Sequence, residues 1–484
     1  MASTEVVTTH ERPVPAPPLA AVVRQPSSHS ATEMHRLDSI AAEGEANAVH
    51  AADIPPDGGY GWIVTACVFL INAHTWGVNS AWGVFLNHFI SAATFSHATH
   101  FQYALIGGIS ISQALTVSPA VSLANERFGT RNSLFLGTVL VSAALLCSAF
   151  ATGVWVLFLT QGALFGWGMG FLYITASTVL PQWFLRRRSL AVGIASSGAG
   201  FGGLAYNLGA GAGISSIGWK STYITLAAAT FAVNLACSFL LKDRDKAVQP
   251  RRQGFQVKEY GHISTWMIIV WGFLTELGYV VLLYSLPNYA TYIGLTPQQG
   301  AVAGAVLNLG LAFGRPAIGY ASDTFGRINV ALATTALCGA FCLGIWVPAK
   351  SYSVLLLFAF LSGTVTGTFW GCVIPVTAEV VGIQRLSVSF GMICLPLVLP
   401  TTFAESIALR LVSSSGYLAA QIFVGCVYLG GALSLWGLRS WKIGDIARNE
   451  GRDRTGIFTA QSGNVGCHAN LRLAYKSLLA PKKV

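Results

Sequence analysis

Of the 484 residues, 53% are hydrophobic and only 10% charged, whereas a soluble domain carries about 25% charged residues. Long unbroken apolar runs exclude both an ordinary soluble protein and an alternating-pattern β-barrel, and leave a helical, multi-pass membrane protein. The net charge of +10 comes from Lys and Arg at helix ends and in tails, where bilayer orientation accounts for it; no nucleic-acid partner is expected.

Met1 to Pro56 lacks an apolar core and reads as a disordered cytosolic tail. It has no charged n-region followed by an apolar run, so it is not a signal peptide. Twelve apolar segments follow, at 62–89, 102–124, 132–152, 154–180, 189–214, 219–241, 263–287, 299–322, 328–348, 352–378, 386–411 and 417–438. Each can span a hydrocarbon core of about 30 Å. The fold class expected is all-α: twelve transmembrane helices in two pseudo-symmetric six-helix bundles, 57–241 and 263–438. Residues 242–262 join the bundles as a cytosolic loop, and 439–484 form a second, basic cytosolic tail that lies near anionic lipid. Thirteen Lys and Arg residues fall in the inner loops, among them Arg127, Arg131, Arg186 to Arg188, Lys242, Arg327 and Arg385. The outer loops hold Lys220 and Lys350, with Arg410 at a helix end. This bias puts both termini in the cytosol. The plasma membrane is the default location and a vacuolar membrane the alternative.

The two halves repeat. Ser118 to Arg131 reads SPAVSLANERFGTR and Arg315 to Ile328 reads RPAIGYASDTFGRI; Pro119 pairs with Pro316, Phe128 with Phe325 and Gly129 with Gly326, at a constant offset of 197. Such duplication suits a transporter whose site lies between its halves. Eight of the nine cysteines lie in or beside apolar runs, where Cys acts as a small hydrophobe. No disulfide framework, metal site or cofactor is expected. Gly198 to Gly203 matches GxGxxG literally, but no strand precedes it and it sits inside an apolar helix, so a nucleotide site is rejected. No Walker, HExxH, GxSxG or DFG motif supports ATP-driven pumping or hydrolysis, and the protein is not expected to be an enzyme.

The turn Gly319-Tyr-Ala-Ser-Asp323-Thr-Phe-Gly326-Arg327 resembles the G-x-x-x-D-x-x-G-R turn of the major facilitator superfamily. Asp57-Gly-Gly-Tyr-Gly-Trp62, Trp183-Phe-Leu-Arg-Arg-Arg188-Ser-Leu-Ala-Val-Gly193 and Gly314-Arg315-Pro316 are similar to signatures of its monocarboxylate porter family. That resemblance implies alternating access around a midplane site faced by segments one, four, seven and ten. Ser80 stands where proton-coupled animal members carry a Lys, and Leu311 where they carry an Asp. The likeness is therefore to the fungal branch, whose substrates are broader.

Arg315 is a charge inside an apolar segment. Such charges usually face a bundle interior or an aqueous cavity, and a guanidinium can hold a carboxylate bidentately. Arg315, Asn79 and Asn308 are the substrate-binding candidates. The alternatives for Arg315 are snorkelling toward the cytosol or a structural pair with Glu276. Glu276, His74 and Glu405 are the proton-coupling candidates; for His74 a hydrogen-bonded packing role is the plainer reading. Asp323 and Arg327, with Arg127 and Arg131 in the first copy, are expected to form a conformational latch. Pro396 and Pro400 should bend segment eleven. The other aromatic residues read as lipid-facing or interfacial. The expected substrate is a small organic anion, moved alone or with a proton. The alternatives are export of a fungal metabolite or vitamin-like compound, and a non-transporting receptor on the same fold.

Overall fold

Helix follows apolar run along nearly the whole chain, because a backbone in hydrocarbon must satisfy its own hydrogen bonds. The computed structural model describes residues 55–92, 94–95, 99–244 and 260–455, and among these no strand occurs. The two tails expected to be disordered (up to 54 and beyond 455) and most of the central loop lie outside the described residues.

Among the described residues ten helices are long and apolar enough to cross a membrane. One of them, Arg188–Leu240, breaks at Gly218, and 100–128 supplies a further segment. The described residues thus form twelve membrane-length segments: α1 Tyr60–Ser91, α2 100–128, α3 130–149, α4 Val154–Gln182, α5 188–217, α6 219–240, α7 Ile263–Tyr292, α8 Pro297–Phe325, α9 Arg327–Trp346, α10 Tyr352–Val381, α11 383–415 and α12 417–455. The breaks repeat as the sequence does. Gly129 (φ 79°) ends α2 and Gly326 (φ 100°) ends α8; Gly218 (φ 82°) and Gly416 (φ 75°) start α6 and α12. A side chain is disfavoured at such φ values, so each glycine permits a turn that its neighbours could not make.

One of the two prolines in segment eleven interrupts the helix as expected. In α11 the α-helical ladder gives way around Pro396 to three-residue bonds, Leu397 N to Cys394 O at 3.2 Å and Val398 N to Leu395 O at 3.2 Å. One boundary differs. α12 continues to 455 instead of ending at 438, because Arg439 Nε donates to Asn329 Oδ1 at 2.7 Å and Ile443 is buried against the core.

The halves meet along two seams. α5 packs on α8 and α2 packs on α11, and the 197-residue offset exchanges the two seams. The residues at the matching position in each repeat do the same work. Ser118 Oγ donates to Gly391 O across one seam at 2.9 Å, and Arg315 Nη1 donates to Ser196 O across the other at 2.6 Å. The α5–α8 seam is tight: Gly193 of α5 lies against the Arg315 carbonyl, Gly200 against Ala312 and Gly319 against Ser189.

Candidate functional site

α8 starts with a capping box, Gln299 N to Thr296 Oγ1 at 3.3 Å and Thr296 N to Gln299 Oε1 at 2.9 Å, and ends at Gly326. Between these points Arg315 is held inside the protein, 7% exposed. It neither snorkels nor forms an ion pair with Glu276 among the described residues. Nη1 is fixed by the Ser196 carbonyl, whereas the buried Nε has no hydrogen-bond partner among the described residues. Glycines make its room: Gly314 abuts Thr364 of α10, and a side chain on Gly367 would come within 2.9 Å of Nε.

Glu276 on α7 is 3% exposed and sits in the electrostatic reach of the Trp370 side chain and of Arg315. Tyr173 on α4 and Tyr279 on α7 feel both charges. Trp76 on α1, Tyr173 and Trp370 on α10 pack ring against ring at 5.5 to 6.1 Å. One turn nearer Gly326 lies a small cleft lined by Asn72, Tyr173, Ser177, Ser196, Trp370 and Ile374. Helices α1, α4, α7, α8 and α10 therefore converge on a guanidinium, a carboxyl group and three rings.

The other sequence-selected residues lie elsewhere. Asn79 accepts from Ser110 Oγ at 2.6 Å, tying α1 to α2. Asn308 Nδ2 bonds the Gly304 carbonyl of its own helix at 3.0 Å and is half-buried. His74 Nδ1 faces Leu70 O at 2.8 Å and its ring meets Tyr206 edge to face. The Glu405 side chain lies outside the described residues.

The turn after α8 ties the halves together at one end of the bundle. Asp323 accepts from Ser189 N at 3.0 Å and Leu190 N at 2.9 Å, so a carboxylate from one half caps the first turn of α5 in the other. Arg327 donates to Leu185 O at 2.8 Å and to Ser189 Oγ at 3.2 Å, and pairs with Asp323 at 3.6 Å and Glu379 at 3.4 Å. Arg131 does not reach across; it lies over the Phe239 ring of α6 at 5.0 Å, and Arg127 is exposed.

Sequence reasoning missed several of these residues. Asp57 Oδ1 accepts from Leu185 N at 2.7 Å and Arg186 N at 2.8 Å, while Tyr60 and Trp62 pack on Trp183 and Phe184. The DGGYGW and WFLRRRS stretches are thus two sides of one joint, which their shared aromatic content could have signalled. The three inward rings were read as lipid-facing, since hydropathy does not distinguish the two faces.

Residues 62–393 match the profile of the Major Facilitator Superfamily. The chain belongs to the major facilitator superfamily. Among its relatives, Probable transporter MCH2 of Saccharomyces cerevisiae is 32% identical over 435 residues, covering 87% of this chain and 90% of that protein. Monocarboxylate transporter 12 of Homo sapiens is 26% identical over 415 residues, covering 77% of this chain and 79% of that one. These relatives fit the monocarboxylate-porter-like group. A crystal structure of XylE aligns with a TM-score of 0.63 at 13% identity, over 79% of this chain and 96% of that one. This major facilitator protein is a multi-pass membrane transporter.

Proposed function

We propose that the protein carries a small organic anion by alternating access, with the substrate carboxylate docked on Arg315. The single observation behind this reading is the buried Arg315 Nε, which lacks a partner. A cation held out of water favours an anionic partner strongly, because the alternative is an uncompensated charge in low dielectric. Its fixed Nη1 keeps the guanidinium plane in place while the other edge is available for a carboxylate.

The bundles 57–241 and 263–438 are the rocking units, and the Asp323–Arg327 turn is the latch that holds one end shut. Arg127, Arg131, Arg186, Arg187, Lys242, Arg244 and Arg385 gather at the latch end, and Lys220 and Lys350 at the other. By the positive-inside rule that end is cytosolic, with both termini. Glu276 is the proton carrier in this reading: neutral, it leaves Arg315 free to bind a carboxylate; ionised, it competes for the same positive field. Proton and anion would then move together.

The test is uptake of labelled monocarboxylates into proteoliposomes with and without an inward proton gradient. A gradient should accelerate uptake severalfold in the wild type and not in Glu276→Gln. Uptake indifferent to the gradient would remove the proton, and no uptake or counterflow of any carboxylate would remove the anion.

A further inference from the structure

The rings beside Arg315 come from both halves. Trp76 and Tyr173 meet edge to face at 5.5 Å; Trp370 reaches across to them at 6.1 and 5.8 Å, and Phe390 touches Tyr173 at 6.3 Å. Tyr173 and Trp370 are buried, whereas Trp76 is half-buried. Parting the halves at this level breaks both Trp370 contacts. Such ring pairs add stabilisation beyond the area they bury, so separating them is costly unless something replaces them.

A ligand promotes a conformational change only through contacts that differ between the two states. A short aliphatic acid on Arg315 would have no surface to replace a ring contact. A carboxylate on a flat, apolar body would fill the parted triangle while its anionic end stayed on the guanidinium. We propose that the substrate is an aromatic monocarboxylate whose ring enters between Trp76, Tyr173 and Trp370, and that Trp370 sets this preference. This rests on the anion reading above and adds the chemistry of the substrate's body. Trp370 suits the role because it alone of the three comes from the second half and meets both of the other rings.

The experiment uses the full chain in proteoliposomes and compares phenylacetate with lactate. The ratio of kcat/KM should favour phenylacetate by about tenfold or more, fall to within about threefold in Trp370→Leu, and persist in Trp370→Phe. A wild-type ratio near one, or a ratio unmoved by Trp370→Leu, overturns the proposal. Should Trp370→Leu fail to reconstitute, Trp76→Leu gives the same reading. Thermal shift of the solubilised wild type gives another: phenylacetate should raise the midpoint where equal lactate does not, and equal or absent shifts overturn the proposal. Arg315-dependent lactate transport without aromatic preference would sink this inference and leave the anion reading standing. Preference for neutral phenylacetamide over phenylacetate would overturn the carboxylate in both.

Discussion

At the residue scale, two carboxylates hold one short stretch of backbone. Asp57 caps the loop before α5 from within its own half, and Asp323 caps the first turn of α5 from the other. Both use the same physics, an anion against unpaired N–H groups at a helix start, but they answer to different events. In the proposed cycle Asp57 should stay bound throughout, whereas Asp323 would let go when the proposed latch opens. Asp57→Ala should therefore lower the thermal midpoint of the detergent-solubilised protein, at a cost of about 1–2 kcal/mol, with Asp57→Asn closer to wild type. Asp57 is also the one non-glycine residue with positive φ among the described residues, at 54°, and Asn tolerates that conformation where Ala does not. Equal losses in the two variants would argue against the cap.

At the element scale, α5 has two glycine-lined faces with different duties. Gly202 meets Ala73 of α1 inside its own half, where an added Cβ would lie 2.5 Å from the Ala73 backbone. Gly193 meets the Arg315 carbonyl across the seam. Gly202→Ala should reduce expression and stability, as overpacking a fixed contact does, by roughly 1–3 kcal/mol. If the seam opens during transport as proposed, Gly193→Ala should leave expression near wild type and slow transport; stability loss in Gly193→Ala equal to that in Gly202→Ala would contradict this division. The sequence made part of this legible. Gly129 and Gly326 sit at one repeat offset, and both carry the positive φ that ends a helix, so the segment ends could be read in advance. The partner of each glycine face could not: Gly193 and Gly202 look alike in an apolar run, and only packing between distant segments separates them. The same limit hid Trp76, Tyr173 and Trp370, because an aromatic side chain has one hydropathy whether it faces lipid or a cavity.

At the scale of the whole molecule, duplication places matching positions on the two seams. The offset places Ser118 opposite Arg315, and each donates to a backbone carbonyl of the facing half. One position holds a small neutral donor and the other a buried cation, so a symmetric fold carries an asymmetric pair. If the seams part during transport, tying one shut should stop the cycle. A Cβ built on Gly200 lies 3.0 Å from the Ala312 Cβ, close to the 3.5–4.5 Å that a disulfide spans. In a background without native cysteines, Gly200→Cys with Ala312→Cys should transport when reduced, stop when oxidised and recover on reduction; uninterrupted transport in the oxidised form would mean that this seam does not open. The most direct measurement of the central claim is counterflow of a labelled monocarboxylate by reconstituted Arg315→Gln and Arg315→Lys beside the wild type. Both variants should retain folded, monodisperse protein, with Arg315→Gln losing at least a hundredfold in rate and Arg315→Lys recovering only a small part of it, because a point charge cannot reproduce the planar fork. Counterflow within about threefold of wild type in Arg315→Gln would contradict the anion clamp.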